Sequence, residues 1–150
     1  MKTDTNALSP AVIDQLQGEK LMFAVTANED NEIYSTAISW LAAVNDHLIR
    51  FAISPKSPLI RNISQRPKMQ ILFAIPEHTL AITGTARVQS DPIPDMPFPM
   101  LCVELAINRV DDIMFYGGVV TSEPKYMKTY AADLSKKLDT AIYTALRKPE

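Results

Sequence analysis

The residues with the clearest chemical potential lie together in the segment KSPLIR, from Lys56 to Arg61. Ser57 is predicted to cap a helix that begins at Pro58, because serine accepts hydrogen bonds from unpaired backbone N–H groups and proline has no N–H group to leave unpaired. Unpaired amides and the positive end of the helix dipole then lie beside two cationic side chains, an arrangement that holds a phosphate. An ordinary capped connection that binds only water is the alternative from these residues alone.

Other chemically active residue types do not form a recognisable motif. His47 and His78 are far apart in the sequence, and neither HExxH nor CxxC spacing occurs, so no metal site is expected. Cys102, in the apolar segment MLCVEL, is predicted to be a buried thiol. The sequence also lacks GxSxG, a Walker lysine and GxGxxG. No catalytic residue is therefore predicted.

Three further features allow a functional and a structural interpretation. Asp111 and Asp112 are adjacent, so on a strand they would point to opposite faces, and a solvated loop pair is the favoured interpretation. Tyr116 precedes two glycines and is the best candidate for a side chain that contacts a substrate, although a tyrosine with only a structural role in a turn is the favoured interpretation. Tyr34 and Trp40 have even spacing on a predicted strand, which suits either a core or a planar ligand.

Composition places the chain among ordinary globular proteins. Its 150 residues are 47% hydrophobic and 21% charged, which fits a single domain over residues 1–150. The net charge of -2 without a basic block gives no footprint for nucleic acid, and no apolar run reaches the about 20 residues of a membrane span. The polar N-terminus lacks the apolar region of a secretory signal, and one cysteine cannot form an internal disulfide, so a cytoplasmic location is expected.

Hydrophobic periodicity and turn residues predict a helix, a series of strands around a short helix, and a long final helix. A short helix begins at Pro10 and ends near Gly18. The final helix is predicted from about Pro124 to Leu146, with an apolar stripe at Met127, Ala131, Leu134, Leu138, Ala141 and Ala145. The remaining predicted elements are strands at 20–27, 32–43, 47–54, 68–75, 78–89 and 101–110, a helix at 58–65, a bulge or a close approach at Gly84, and a loop at 91–99. Short strands with tight turns favour an antiparallel sheet that closes into a barrel.

This order of elements resembles the pyridoxamine 5'-phosphate oxidase-like proteins, or FMN-binding split barrels. The resemblance covers about Gly18 to Gly118 and rests on the successive segments YSTAISW, LIRFAIS, SPKSPLIRNISQRPKMQILF and ITGTARV. Family members have a similar order of strand, serine-containing turn, helix ending in Asn-Ile or Asn-Leu, proline and apolar strand. The resemblance implies a mainly β fold, a six-stranded antiparallel split β-barrel with short helices and a C-terminal helix.

The same resemblance implies an FMN site at a dimer interface, with the phosphate held at the strand-to-helix turn. Ser57 matches the serine of that turn, and Ala52 and Ile53 match the strand end beside the flavin. Thr79 matches a position that often carries a polar side chain, and Ser35 to Trp40 match the strand beside the ring. The implied cofactor-binding residues are Ser39, Trp40, Ala52, Ile53, Lys56, Ser57, Arg61 and Thr79.

Two departures from the family pattern bear on the cofactor and the substrate. Pro58 and Leu59 replace the basic pair that commonly follows the serine, so charge opposite a phosphate has to come from Lys56, the first choice, or from Arg61 or Arg50. The C-terminal segment also lacks the Trp and Arg residues that serve FMN and substrate in true pyridoxamine phosphate oxidases. Classical vitamin B6 oxidation is therefore not expected.

The function implied by the resemblance is that of an FMN-dependent oxidoreductase or reductase with an unknown small-molecule substrate, acting as a homodimer. Two alternatives remain open. In the first, the chain is a non-enzymatic flavin-binding or storage protein. In the second, it binds another planar cofactor, such as a deazaflavin or heme. Heme is the weaker choice, because no suitably placed histidine occurs in the C-terminal segment.

Overall fold

The computed structural model describes residues 5–150, which form an antiparallel sheet with three helices against it. The helices are α1 (Pro10–Gln15), α2 (Pro58–Gln65) and α3 (Ala132–Leu146). The strands are β1 (Met22–Ala27), β2 (Ile33–Ile38), β3 (Leu41–Ala43), β4 (Leu48–Ile53), β5 (Lys68–Ile75), β6 (His78–Val88) and β7 (Leu101–Asp112). No helix within the described residues is long and apolar enough to cross a membrane.

The sheet is curled, because its two edge strands are neighbours in sequence and a short connection holds them close together. The strand order is β2-β1-β5-β6-β7-β4-β3, so β2 and β3 lie at opposite edges although only Ser39 and Trp40 separate them. The sheet therefore bends back on itself without a ladder between β2 and β3, which confirms the expected split barrel with seven strands instead of six. The single strand predicted for 32–43 is wrong, since the chain turns a corner between the two edges.

Strands with alternating buried and less buried residues enclose the main core. Strand β5 shows the pattern most clearly, with Met69, Ile71, Phe73 and Ile75 buried between less buried neighbours. Helix α2 covers one end of this core with Leu59 and Ile63, as its sequence predicts. Each apolar side chain that is fully buried in this way contributes about 1.5 to 3 kcal/mol to stability.

The bulge predicted at Gly84 is present in the ladder between β6 and β7. The register shifts between Thr83 and Gly84, and a Cβ atom at Gly84 would lie only 2.4 Å from the carbonyl oxygen of Ala106. Glycine is therefore required there by the close approach of the neighbouring strand. The long strand β7 also extends to Asp112, so the predicted loop pair Asp111 and Asp112 instead ends a strand, where Arg109 binds Asp111 at 2.7 Å.

Helix α3 is shorter than its sequence predicts. It begins at Ala132, because residues 124–131 run as an irregular segment whose side chains bind other parts of the molecule. Its buried face consists of Leu138, Ile142, Tyr143 and Leu146. The last three of these pack on the outer face of the sheet in a second, smaller core. The predicted stripe is confirmed at Leu138, which is buried, and at Ala145, which packs against this core. It is wrong at Met127, Ala131 and Leu134, which are exposed, since the helix meets the sheet with a different face.

Arg50 fixes the end of α3 to the sheet. The side chain is buried on β4, where Arg50 Nε donates to Glu104 Oε2 of β7 at 2.9 Å. Its other nitrogens donate to the backbone carbonyls of Leu146, Lys148 and Pro149 at the end of the helix. Since these bonds occupy the guanidinium group, Arg50 is not available to a phosphate near α2.

Candidate functional site

A groove opens at the split of the barrel, between β2 and the end of β4. Its volume is about 570 Å³, which is in the range of small-molecule sites. The lining comes from three parts of the chain: the β2–β3 corner, the β4–α2 junction, and a segment before α3. The lining residues are Tyr34, Thr36, Ala37, Ile38, Ser39, Trp40, Ala52, Ile53, Ser54, Ser57, Met100, Tyr126, Met127, Lys128, Thr129 and Tyr130.

One border of the groove is the unpaired edge of β2. This strand forms a ladder with β1 alone, so its backbone groups that point away from β1 have no strand partner among the described residues. Thr36, Ala37 and Ile38 of β2 line the groove. Exposed strand edges present a row of N–H and C=O groups that can bind an extended or planar partner.

Ser57 marks the end of the groove nearest to α2. Its hydroxyl accepts a hydrogen bond from Leu59 N at 3.2 Å, which confirms the predicted cap, and its carbonyl accepts one from Ile60 N at 3.1 Å. These first-turn amides are thus engaged, contrary to the expectation that they are free. A phosphate at this place would depend on side chains and would compete with the cap.

A shallow depression adjoins the groove at Ser57 and carries positive charge. Ser57 lines both surfaces, and the depression also contains Lys56, Arg61 and Ser64. Lys56 and Arg61 are exposed, and no acidic side chain lines the depression among the described residues. The charge that the sequence places near Ser57 is therefore present without a neutralising partner in the lining.

The segment from Tyr126 to Tyr130, which we call the strap, forms the opposite wall of the groove. Lys128 is its central contact: Lys128 Nζ donates to Asp139 Oδ1 of α3 at 2.9 Å and lies 5.0 Å from the centroid of the Trp40 ring. Trp40 Nε1 donates to the same carboxylate oxygen at 2.8 Å. Asp139 thus orients an aromatic ring and an ammonium group that both line the groove.

Polar contacts fix the strap and the residues before it. Lys20 Nζ binds both carboxylate oxygens of Glu123, at 2.7 and 2.8 Å, and Tyr126 Oη donates to Glu19 Oε2 at 3.4 Å. Tyr143 of α3 donates to the carbonyl of Ser39 at 3.2 Å, which ties the helix to the corner between the sheet edges. Hydrogen bonds thus fix the strap and α3 to other parts of the chain.

Lys128 remains a cation despite its partial burial. Burial alone would lower the pKa of the ammonium group, but the hydrogen bond to Asp139 and the negative charge of that carboxylate raise it above its ordinary value. By contrast, burial raises the pKa of the Cys102 thiol to about 11, so it is not a thiolate at neutral pH. Of the described residues that line the groove, Lys128 alone is charged.

The structure brings together most of the site residues predicted from the sequence. Ser39, Trp40, Ala52, Ile53 and Ser57 line the groove. Lys56 and Arg61 lie in the adjoining depression. Their roles toward a cofactor stay predictions.

Thr79 lies apart from the groove. It lines a separate cavity of about 610 Å³ formed with the loop that follows β7. Tyr116 lies in the wall of that same cavity, within the predicted turn, and its side chain is fully exposed. Within one chain, neither residue is therefore placed to act on a ligand in the groove.

Sequence reasoning missed the strap. Tyr126, Lys128 and Tyr130 belong to the segment PKYMKTY, which was expected to begin the final helix. The interleaving of aromatic and cationic side chains at 126, 128 and 130 is a usable signal, because a period of two fits an extended wall and not a helix. Asp139 could not be linked to Trp40 from sequence, since 99 positions separate them.

Comparisons with known proteins agree with this architecture. A sequence profile described as pyridoxamine 5'-phosphate oxidase matches residues 8–100. No curated protein is significantly similar to the chain.

Solved structures share the fold at low sequence identity. A protein assigned as a pyridoxamine 5'-phosphate oxidase from Lactobacillus delbrueckii is 20% identical, with a TM-score of 0.62 over 71% of this chain and 95% of that chain. HupZ from Group A Streptococcus is 13% identical, with a TM-score of 0.62 over 77% of this chain and 100% of that chain. An F420 reductase is 15% identical, with a TM-score of 0.54 over 66% of this chain and 94% of that chain.

Proposed function

Because this chain belongs to the pyridoxamine 5'-phosphate oxidase family, we propose that it is an FMN-binding flavoprotein and acts as a flavin-dependent oxidoreductase on a small molecule. The observation that carries the proposal is the position of the groove at the split of the barrel, with an aromatic wall along it and a basic depression at the Ser57 end. These surfaces match the ring and the phosphate of one ligand. An F420 reductase shares the fold, which agrees with a redox role for this chain.

The groove suits the ring of FMN in shape and in chemistry. The strap tyrosines, Tyr126 and Tyr130, offer flat apolar surfaces, which favour stacking against a conjugated ring. The unpaired edge of β2 offers alternating donors and acceptors, which suit the C=O and N–H groups at the pyrimidine edge of a flavin. Ring recognition would thus depend mainly on backbone groups of β2 and on packing.

The phosphate of FMN would be held by Ser57, Lys56 and Arg61. Charge-assisted hydrogen bonds are roughly twice as strong as neutral ones, so the two cations supply most of this end of the site. Both are exposed, and we therefore expect phosphate binding to weaken as salt concentration rises. When bound, FMN supplies the electron transfer, and the protein supplies position and electrostatics.

A non-enzymatic flavin carrier is the second candidate function, and the residue types that line the groove support it. No histidine, aspartate or glutamate lines the groove within residues 5–150. A general acid or base would have to be Lys128 or a tyrosine, unless the reaction transfers only a hydride. Reduction by an external donor separates the enzyme from the carrier.

We also propose that the protein acts as a homodimer. The loop after β7 presents Ile113, Phe115, Tyr116 and Val119 as exposed apolar side chains. Such a group of exposed side chains is typical of a surface that another subunit covers. A second copy could also bring Thr79, which lies in the cavity beside this loop, to the groove of its partner.

The cofactor proposal is tested by the colour of the protein and by flavin uptake. Purified protein should carry or take up FMN, show flavin absorbance, and release FMN on denaturation. Bleaching of the bound flavin by NADH or NADPH would identify a reductase, while bound flavin that neither donor reduces would favour the carrier. Colourless protein that does not take up added FMN would show that the proposal is wrong.

The phosphate end is tested by comparing FMN with riboflavin in Ser57→Ala and Lys56→Ala. Each substitution should weaken FMN by about 1 to 3 kcal/mol and leave riboflavin nearly unchanged, because only FMN carries the phosphate. Dissociation constants from fluorescence titration measure the difference. Equal losses for both ligands would place the phosphate elsewhere.

Ser9→Ala is the matched control for Ser57→Ala. Ser9 also caps a helix, α1, where its hydroxyl accepts a hydrogen bond from Val12 N at 3.3 Å, so both variants lose a helix cap. Each should lose about 0.5 to 2 kcal/mol of stability. Only Ser57→Ala should also lose affinity for FMN, which separates a binding role from a capping role.

A further inference from the structure

Trp40, Lys128 and Asp139 form a cluster that has no role in the proposed phosphate site at the Ser57 end of the groove. The three residues come from the β2–β3 corner, the strap and α3, and they meet at a single carboxylate oxygen, Asp139 Oδ1. Trp40 and Lys128 line the groove, whereas Asp139 lines a different surface, along α3. A ligand in the groove would therefore meet the ring and the ammonium group, with the carboxylate behind them.

The ammonium group of Lys128 has unused hydrogen-bonding capacity. It has three N–H bonds, and one of them is directed to Asp139. The others have no hydrogen-bond acceptor among the described residues, and the nearest further partners are the aromatic rings of Trp40 at 5.0 Å and Tyr130 at 6.0 Å. These remaining N–H bonds can donate charge-assisted hydrogen bonds to an anionic ligand in the groove, while the Asp139 carboxylate balances much of the charge of the lysine.

The chemistry of this cluster defines its ligand class. We propose that Lys128 and Trp40 bind a conjugated organic anion, such as an aromatic or unsaturated carboxylate, with Lys128 at its charge and Trp40 at its planar part. Asp139 is the positioning residue, since it fixes both side chains from behind. That this anion is the reaction partner of the flavin rests on the proposed function. The existence of the anion subsite does not depend on the proposed function.

The subsite is tested with trans-cinnamate and trans-cinnamamide, which have the same planar frame and differ in charge. Trp40 is the only tryptophan of the chain, so its fluorescence reports binding in the groove even in protein without flavin. Wild-type protein should bind cinnamate about tenfold or more tightly than cinnamamide, in line with a hydrogen bond to a charged group. Equal affinity for the two probes, or binding of neither, overturns the proposal.

Substitutions assign the preference to Lys128. Lys128→Met should remove the preference for cinnamate and keep the affinity for cinnamamide, while Lys128→Arg should retain the preference in part. Lys125→Met is the matched control, because Lys125 is an exposed lysine of the same segment that does not line the groove. A preference that persists in Lys128→Met would show that another group binds the anion. Melting temperatures of the variants verify that they are folded.

Flavin titrations distinguish this subsite from the phosphate site. Lys128→Met should change the affinities for FMN and riboflavin by the same factor, because the subsite is not expected to contact the phosphate. A loss confined to FMN would assign Lys128 to the phosphate and overturn the proposal. If wild-type protein binds cinnamate selectively and no flavin at all, the anion subsite stands while the proposed function fails.

Discussion

Glu104 lies nearly buried on β7 between two arginines. Its carboxylate accepts hydrogen bonds from Arg50 and Arg87, and Arg50 in turn holds the end of α3. Burial would raise the pKa of this carboxyl group, but the bonds from Arg87 and Arg50 outweigh burial and lower it. The ionised form of Glu104 is therefore stabilised by folding.

Glu104→Gln should reduce the stability of the protein at neutral pH by about 2 to 4 kcal/mol, because it leaves Arg50 buried without its counter-ion. A lowered carboxyl pKa contributes stability that is fully present above the unfolded value of about 4.3 and is lost as the pH falls through the folded value. Wild-type stability should thus decrease on acidification by an increment that Glu104→Gln lacks. Urea unfolding over a series of pH values measures both effects.

Glu77→Gln is a suitable control for this prediction, because Glu77 is an exposed glutamate between β5 and β6. It should change the free energy of unfolding by no more than about 0.5 kcal/mol. An acid dependence in Glu104→Gln that equals that of the wild type would contradict the assignment to Glu104.

At the scale of single elements, the ladder between β6 and β7 depends on Gly84. Gly84→Ala would place a methyl group against the Ala106 carbonyl and within 2.8 Å of the Leu105 side chain, and backbone cannot move aside as a flexible side chain does. We expect a loss of about 1 to 3 kcal/mol, as for other overpacked positions. Thermal unfolding measures the loss.

The neighbouring position provides the control for Gly84→Ala. Thr85 is exposed, so Thr85→Ala should be close to neutral. If Gly84→Ala is as stable as the wild type, the bulge can shift to relieve the contact, and the prediction is wrong.

Local signals identified most of the elements. Helix α2 was predicted with both of its ends, since Ser57, Pro58 and Pro67 define them through local rules that tertiary contacts did not override. The loop at 91–99 is confirmed for the same reason, because its prolines exclude helix and central strand. Capping and turn residues act within a few positions, and sequence reasoning is strongest at that range.

The errors occur where distant residues decide the structure. The break at Ser39 and Trp40 has no glycine or proline to mark it, and it exists because β2 and β3 join different edges of one sheet. The segment before α3 has helical spacing, but it is irregular, and its charged residues Glu123 and Lys128 bind Lys20 and Asp139 from distant parts of the chain. The wall that the strap forms was therefore beyond local reasoning, although Ser57 and Trp40 were found through the family resemblance.

At the scale of the whole molecule, the loop after β7 is the surface most suited to a second copy. Phe115 and Tyr116 are 73% and 101% exposed, more than side chains of this size usually are in an isolated protein. Replacement of both by serine should turn a dimer into a monomer at concentrations where the wild type is dimeric. Sedimentation velocity measures the change.

Leu134→Ser is the control for the dimer prediction, because Leu134 is a half-exposed apolar residue on α3 and lies outside this loop. It should leave the sedimentation of the dimer unchanged. A wild-type protein that sediments as a monomer would contradict the homodimer directly.

The two-residue corner at Ser39 and Trp40 also has a kinetic consequence. It joins two local hairpins, β1 with β2 and β3 with β4, which then attach to β5 and β7 through contacts of long sequence separation. Such non-local contacts form late and slow the folding of β proteins. The groove exists only after both hairpins have attached, so a ligand finds its site only in the completed barrel. Ligand binding should therefore slow unfolding and leave the rate of refolding unchanged.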